Sequence, residues 1–229
     1  MALLLRYLTA TDAGLAAGTS MEPVALADAL VNLRVDSDAS DAAQIASIFL
    51  PAARQLAETK AGAAIRLASY RQTLSEFPWT RDSRNGFSSS GSPMGHRSSS
   101  APIKTALGLV QSITSVKYID TTGAVQTIDP TTLSLVQLDE ANTEIALTYG
   151  GYWPACAHVP NAVTVEYTAG MAPADFAARF PGVNHWILLA CGWAYANREM
   201  FLSANGALIQ MPASYVDSLL APITVSPRF

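Results

Sequence analysis

The sequence predicts an α+β protein: a helical core of two N-terminal helices and one long apolar C-terminal helix, an inserted antiparallel β region, and an extended C-terminal arm. Three observations predict it. Apolar residues recur at helical spacing over 24–34 and again over 40–61. From Leu109 to Tyr167 the pattern changes to short alternating runs punctuated by turn residues. Pro181 then opens the stretch 182–200, which is apolar on nearly all sides of a helix and so predicts the most buried element.

Residues 1–20 are mixed in character and read as an extended arm. Val24, Leu26, Ala27, Leu30, Val31 and Leu33 then paint one helical face, and Pro23 suits a first turn. Asp36-Ser37-Asp38 breaks this helix, and Ser40 is placed to cap the next, with Asp41 in its first turn. The second helix carries Ile45, Ile48, Phe49, Ala52, Ala53 and Leu56. Pro51 inside it lacks an N–H and is expected to kink or split it, while Gly62 is a natural stop.

The β region is expected over 64–168, beginning with an extended stretch at 64–79. Residues 80–101 hold eight serines, three glycines and Arg81, Arg84 and Arg97, too little apolar surface to order themselves, and read as a flexible loop. Val116 and Tyr118, the Thr121-Thr122-Gly123 turn and Val125 to Ile128 form a hairpin pattern. Alternation returns at Leu133–Leu138, at Ile145, Leu147 and Tyr149, and at Val163, Val165 and Tyr167. Gly170 ends the β region, and after the 182–200 helix a short helical candidate spans Ser214–Leu220 before Pro222. The organisation is therefore an arm (1–20), one domain (21–200) and a second arm (201–229).

A chain of 229 residues fits one large domain. Hydrophobic residues make up 50% and charged residues 14%, against a usual charged share of about 25%. Surface buried against other subunits would explain the low charge, and so would an alanine-rich chain with few charges. The net charge is −4, with 11 Arg to 3 Lys and no basic cluster. Phosphate neutralisation supplies most of the affinity of proteins that grip DNA, so this balance favours guiding over gripping. Cys156 and Cys191 make no disulfide framework and read as reduced thiols of a cytoplasmic protein. Ala2–Leu5 is too short for a signal-peptide core. Trp186–Ala196 is the longest apolar helix candidate and falls short of the roughly 20 residues that span a bilayer.

Chemistry finds little purchase. Cys156-Ala157-His158 places two ligand types together, but a structural zinc needs four, and the remaining candidates, His96, His185 and Cys191, are scattered. Gly86-Phe87-Ser88-Ser89-Ser90-Gly91 lacks the Gly-x-Ser-x-Gly elbow spacing, and no phosphate-binding glycine motif occurs. Asp139-Glu140 and Asp36/Asp38 fall in expected turns, where solvated acids are ordinary. The tryptophans Trp79, Trp153, Trp186 and Trp193 read as core or interface anchors, since stacking platforms come with a basic groove. Arg54, Arg198 and Glu199 are candidate intersubunit contacts, though a helix-end charge pair explains Arg198-Glu199 as well. No catalytic, cofactor or metal residue is assigned. A small cytoplasmic hydrolase using the Ser-rich loop, and a DNA-binding module, stand as alternatives to a structural role.

A set of short segments keeps one order along the chain. It runs Leu33-Arg34-Val35-Asp36, Ala52-Ala53-Arg54, Ser112 to Asp120 followed by Thr122-Gly123, Val163 to Gly170, and Asn197-Arg198-Glu199. In this order the chain, from about Glu22 to Glu199, resembles the head–tail adaptor (connector) proteins of tailed bacteriophages. Leu219-Leu220-Ala221-Pro222 is similar to that family's closing segment. The chain departs from the pattern at Ala106–Val110, where a Leu-Pro-x-x-Pro run is usual, in the length of the Ser-rich loop, and at Pro51. The resemblance implies a structural virion protein at the capsid–tail junction, made in the host cytoplasm, with no catalysis, cofactor or membrane. It implies a dodecamer ring under the portal protein, joined to the tail or to a stopper or tail-terminator protein, with double-stranded DNA passing through its lumen without sequence-specific binding. It also implies that the C-terminal segment docks on the portal. Residues 201–229 fit that role, carrying Phe201, Leu208, Ile209, Met211, Tyr215, Leu219, Leu220, Ile223 and Phe229 but only Asp217 and Arg228 as charges. A disordered tail would be polar, so this segment needs a surface to bury against; folding back on its own subunit is the alternative to docking.

Overall fold

Residues 4–7, 22–37, 39–78, 100–197 and 213–225 are described by the structure, a computed structural model. They are mixed helix and antiparallel sheet, as an α+β chain should be. Two compact units are built from interleaved stretches, where the sequence suggested one domain between two arms. The first comprises Met1–Thr11, Ser69–Ala106 and Val110–Thr168; the second comprises Asp12–Ala68, Leu107–Leu109 and Ala169–Phe229.

The second unit is helical. Helix α1 (Leu26–Leu33) ends because Arg34 turns left-handed at φ 57°, and Pro23 lies ahead of it rather than in its first turn. Helix α2 (Ser40–Gln44) starts at Ser40 with Ala39 at the cap, so no serine hydroxyl caps it. It passes through one π turn (Ile45–Phe49) into α3 (Leu50–Ala61), which Gly62 closes at φ 68° with its N–H on the Glu58 carbonyl. The run is not split, because it stays helical through Pro51. Its missing N–H would have faced the Ser47 carbonyl, and the helix widens to π geometry just before it, with the Leu50 N–H on the Ile45 carbonyl.

Helices α4 (Pro173–Arg179) and α5 (Pro181–Ala196) follow, each with proline in its first turn, where no intrahelical donor is needed. Helix α4 was not foreseen, although Pro173 and Asp175 together carry the signature of a helix start. Helix α6 (Ala213–Ser218) and a 3-10 turn (Ala221–Ile223) complete the unit. Helix α5 packs on α3 and α1, and Gly192 lets the Leu33 side chain approach. Trp186 and Ile187 are buried at the centre with Ile45, Ala57, Phe176 and Ile223. The expectation that α5 is buried on nearly all sides does not hold: Val183, Trp186, Ile187, Ala190 and Cys191 are buried, while Pro181, His185 and Ala196 are exposed and Trp193 is 48% exposed.

The first unit is β. Strands β1 (Leu4–Tyr7), β2 (Ala68–Leu74), β8 (Val163–Ala169), β4 (Val110–Ile119) and β5 (Val125–Thr127) lie in that order in a five-stranded sheet. Strand β1 falls in the stretch read from sequence as an arm, and it pairs antiparallel with β2, Leu4 opposite Thr73. Strands β3 (Ile103–Lys104), β7 (Thr143–Leu147) and β6 (Leu133–Gln137) form a second, antiparallel sheet. Buried and half-buried residues alternate along β2 and β8, so Tyr70, Val163, Val165 and Tyr167 face the core. Phe77 stacks on Trp153 with ring centres 4.9 Å apart, and the Trp153 indole N–H donates to the Ala101 carbonyl. The β4–β5 hairpin is the one read from sequence. Asp120 organises its turn by accepting from the Thr122 hydroxyl, the Gln126 amide and the Thr122 and Ala124 N–H groups, which hold its carboxyl below the usual range.

Three stretches meet side by side in the second unit. Ala63 bridges Gly108, Arg66 bridges Met171, and the Gly170 N–H donates to the Leu109 carbonyl. Gly170 has φ 90°, and a Cβ there would stand 2.2 Å from the Arg66 carbonyl oxygen. Gly170→Ala is expected to lower stability by roughly 2 kcal/mol or more, because both the backbone region and the space are denied to a side chain. The urea midpoint checks this; an unchanged midpoint at unchanged m-value would mean the seam relaxes.

Candidate functional site

On the first unit's sheet, the face opposite the core carries one polar constellation across three adjacent strands. Alternation turns Arg71 on β2, Glu166 on β8, and Ser115 and Lys117 on β4 to this side. Arg71 donates from Nε and Nη2 to Glu166 Oε1 at 3.0 and 2.7 Å, and the Ser115 hydroxyl donates to Oε2 at 2.9 Å. Lys117 Nζ stands 4.0 Å from Oε2. The Arg71 hydrogen bonds hold the Glu166 carboxyl below the usual range, helped by Ser115 and the two positive charges and opposed by desolvation. Arg71, Lys117 and Glu166, with Thr73, Asn161 and Thr164, line a shallow cleft of about 360 Å³. The cluster stitches three strands of the sheet together, with Arg71 and Ser115 both donating to the one Glu166 carboxylate.

The residues singled out from sequence fall in different places. Arg54 lies inside the second unit at 8% exposure, its Nε 2.9 Å from Glu22 and its Nη1 2.6 Å from Glu58. Glu58 also accepts the backbone N–H groups of Ile65 and Arg66. Arg54 thereby ties segments of its own chain together, a role the sequence reading did not give it. Arg198, Glu199, Phe201, Leu208, Ile209, Met211 and Phe229 lie outside the described residues, as does nearly all of the Ser-rich loop. Tyr215 sits in α6.

Leu220 and Ile223, read as docking residues, are instead core. They are 2% and 0% exposed, next to buried Val216, with Leu219 packed at the edge. The physical reason is the segment's tether. The Val225 N–H donates to the Ala61 carbonyl at 2.7 Å, and Lys60 pairs with Asp217 at 2.9 Å, so 216–225 folds back on α3 and buries its apolar side there.

Asp139 accepts the Ala141 and Asn142 N–H groups in its turn, the ordinary work of a turn acid. Cys191 is buried in α5 and Cys156 is half-buried in a loop; among the described residues no three His, Cys, Asp or Glu gather to hold a metal. No described helix is long and apolar enough to cross a membrane. Large apolar side chains stay open to solvent on the helices of the second unit, Val31 on α1, Ile48 on the π turn, Leu56 on α3 and Trp193 on α5. Sequence reasoning missed these because helical spacing marks an apolar face without saying what covers it.

No family model matches the sequence, and no curated protein matches it. Solved structures do match in fold. A chain of the virion of a native gene transfer agent (GTA) particle aligns with a TM-score of 0.66 at 18% identity, covering 99% of this chain and 97% of that one. A chain from the neck of an empty GTA particle, computed with C6 symmetry, gives 0.62 at 17% identity over the same shares. One from the neck of a native GTA particle, computed with C12 symmetry, gives 0.60 at 18%. At such identities the likeness is one of fold, and it runs nearly end to end in both chains.

Glu166→Gln is expected to lower stability at pH 7 by roughly 1 kcal/mol, a modest figure because solvent screens the partly exposed Arg71. A depressed carboxyl contributes stability that is full above its unfolded value and is lost as pH falls through its folded one. The difference between wild type and variant in urea midpoint should therefore be constant at neutral pH and shrink on acidification below the ordinary carboxylate range. A difference independent of pH would mean the pair contributes packing alone.

Proposed function

We propose that this chain is a head–tail adaptor: a structural, non-enzymatic virion protein that forms a ring under the portal, joins the capsid to the tail, and lets DNA pass. The observation that carries this reading is the near end-to-end likeness of fold to chains from a virion and from necks computed with C6 and C12 symmetry. The ordered segments of the sequence point the same way from an independent direction, since they resemble phage adaptors. The open apolar side chains on α1, the π turn, α3 and α5 support a protomer completed by neighbours. Identical neighbours meeting head to tail close a ring when the rotation closes.

Portal docking belongs to residues 201–212 in this reading. That stretch lies in sequence between α5 and α6, and Phe201, Leu208, Ile209 and Met211 supply the apolar contacts in this reading. Leu220 and Ile223 act as its anchor in the protomer. The lumen is neutral or acidic, in keeping with the net charge of −4, because a wall that neutralised phosphates would hold DNA by counterion release.

Three measurements test this. In purified particles the protein should be found at the junction of capsid and tail, burying well above about 800 Å² per protomer, the scale of incidental contacts; absence from particles would sink the reading. Leu208→Asp with Ile209→Asp should leave a folded, ring-forming protein that no longer joins DNA-filled heads; undiminished joining would remove the docking role. Ile223→Ala should instead cost roughly 2–5 kcal/mol of stability, read by urea unfolding, and a variant as stable as wild type would show that the anchor is not core.

A further inference from the structure

The helical run from α2 through α3 turns an uncharged face to solvent. Between Ala43 and Thr59 the sequence holds two charges, Arg54 and Glu58. Both are taken inward: Arg54 is 8% exposed, and Glu58 binds it together with the Ile65 and Arg66 N–H groups. Every exposed residue of that stretch, about 25 Å of helix, is therefore uncharged. Ile48, Ala52 and Leu56 run along it, Ile48 57% exposed and Leu56 48%. A plain α-helix drifts about 40° around its axis at each i+4 step. The wider π turn at Ile45–Phe49 offsets that drift, so Ile48 and Ala52 stay in line. The hydroxyls on this face ask little of water. Ser47 donates to the Ala43 carbonyl at 2.7 Å and Thr59 to the Gln55 carbonyl at 2.9 Å, so covering the face strands neither donor.

A second uncovered patch lies on α1. Val31 is 79% exposed and Leu26 37%, Ala27 is open beside them, and Asp28 is the one charge from Leu26 to Leu33. The two patches look in different directions. Helix α1 runs alongside α5, with the Pro23 carbonyl accepting from the Asn184 amide and Leu33 lying by Gly192. Helix α3 runs against α5, with Phe49 edge-on to Tyr195 and Lys60 over Trp186. Glu22, ahead of α1, pairs with Arg54 on α3. Each helix thus meets the other two around one core, and their outer faces diverge.

We propose that in the assembled ring the α2–α3 face of one copy is covered by α1 of the neighbouring copy, with Ile48 and Leu56 against the neighbour's Leu26 and Val31. The inference rests on the ring reading above. With no cation on it, the face offers nothing to the phosphates of DNA. A closed head-to-tail ring needs two different patches on every copy, turned in different directions, and the helical unit leaves two. Their charges match as well. Lys60 ends the α2–α3 face with its side chain 43% exposed beside Asp217, and Asp28 borders the α1 patch.

Ile48→Asp with Leu56→Asp puts charge on the face. Both side chains are exposed, so this variant should fold with a melting temperature close to wild type. It should stay monomeric by mass in solution and give particles without a complete neck. Rings of normal mass from the folded variant would overturn the contact while leaving the adaptor reading intact. Rings that form normally yet fail to join heads or tails would assign the face to another protein and overturn the proposed occupant. Cysteine linking then checks the partner helix, in a Cys156→Ser background where the remaining Cys191 is buried. Val31→Cys and Leu56→Cys in one chain should give a ladder of disulfide-linked oligomers on mild oxidation, and each alone should give only monomer. Linked dimers from Leu56→Cys alone would mean that two copies meet face to face. Rings of the double variant that stay unlinked would remove α1 as the partner. Either result overturns the proposal. Should the aspartate variant unfold, the linking decides. Absence of wild-type rings in both solution and particles would overturn the adaptor reading, and this inference with it.

Discussion

The approach of Gly170 to the Arg66 carbonyl is the constraint on which the helical unit's construction turns. That unit is not one stretch of chain. It is assembled from residues before the β region, three residues in its middle and everything after it, so the chain must leave and return with fixed spacing. The seam that fixes it is main chain against main chain, with Arg66 bridged to Met171 and Ala63 to Gly108. Backbones can lie that close only where no Cβ intervenes, and Gly170 takes a φ of 90° to do so.

Glu58 extends the seam into the helices. One carboxylate oxygen accepts the Ile65 and Arg66 N–H groups just where the chain departs, and the other takes the Arg54 guanidinium. Arg54 in turn reaches Glu22, ahead of α1. A single carboxylate thus joins α3 to Ile65 and Arg66 and, through arginine, to Glu22 ahead of α1. Glu58 has partners on both oxygens and Arg54 meets two carboxylates, so each side chain ties two segments at once.

The helical unit is closed by its own C-terminal segment, while apolar side chains on α1, the π turn, α3 and α5 stay open. A chain with 14% charged residues has few means of keeping such surfaces apart from copies of itself. Association is the physical reading of those features, and it needs no catalytic centre. The polar cluster around Glu166 fits the same picture, binding three strands together and leaving its charges mutually satisfied.

Sequence periodicity determined the elements that a single apolar face makes legible: α1, the run 40–61, α5, the β4–β5 hairpin and β8. Glycines at 62 and 170 were readable as stops because both take a positive φ, which favours glycine. The order of short segments was legible as well, and with it the kinship in fold. Tertiary structure alone decided the rest. Pro51 was absorbed because a π turn could accommodate its missing N–H, a choice that neighbouring packing makes and local propensity does not. Leu220 and Ile223 look like free docking residues in the sequence, since apolar spacing is the same whether a side chain meets its own core or a partner. Arg54 could not be placed because its partners lie 32 residues before it and one turn after it.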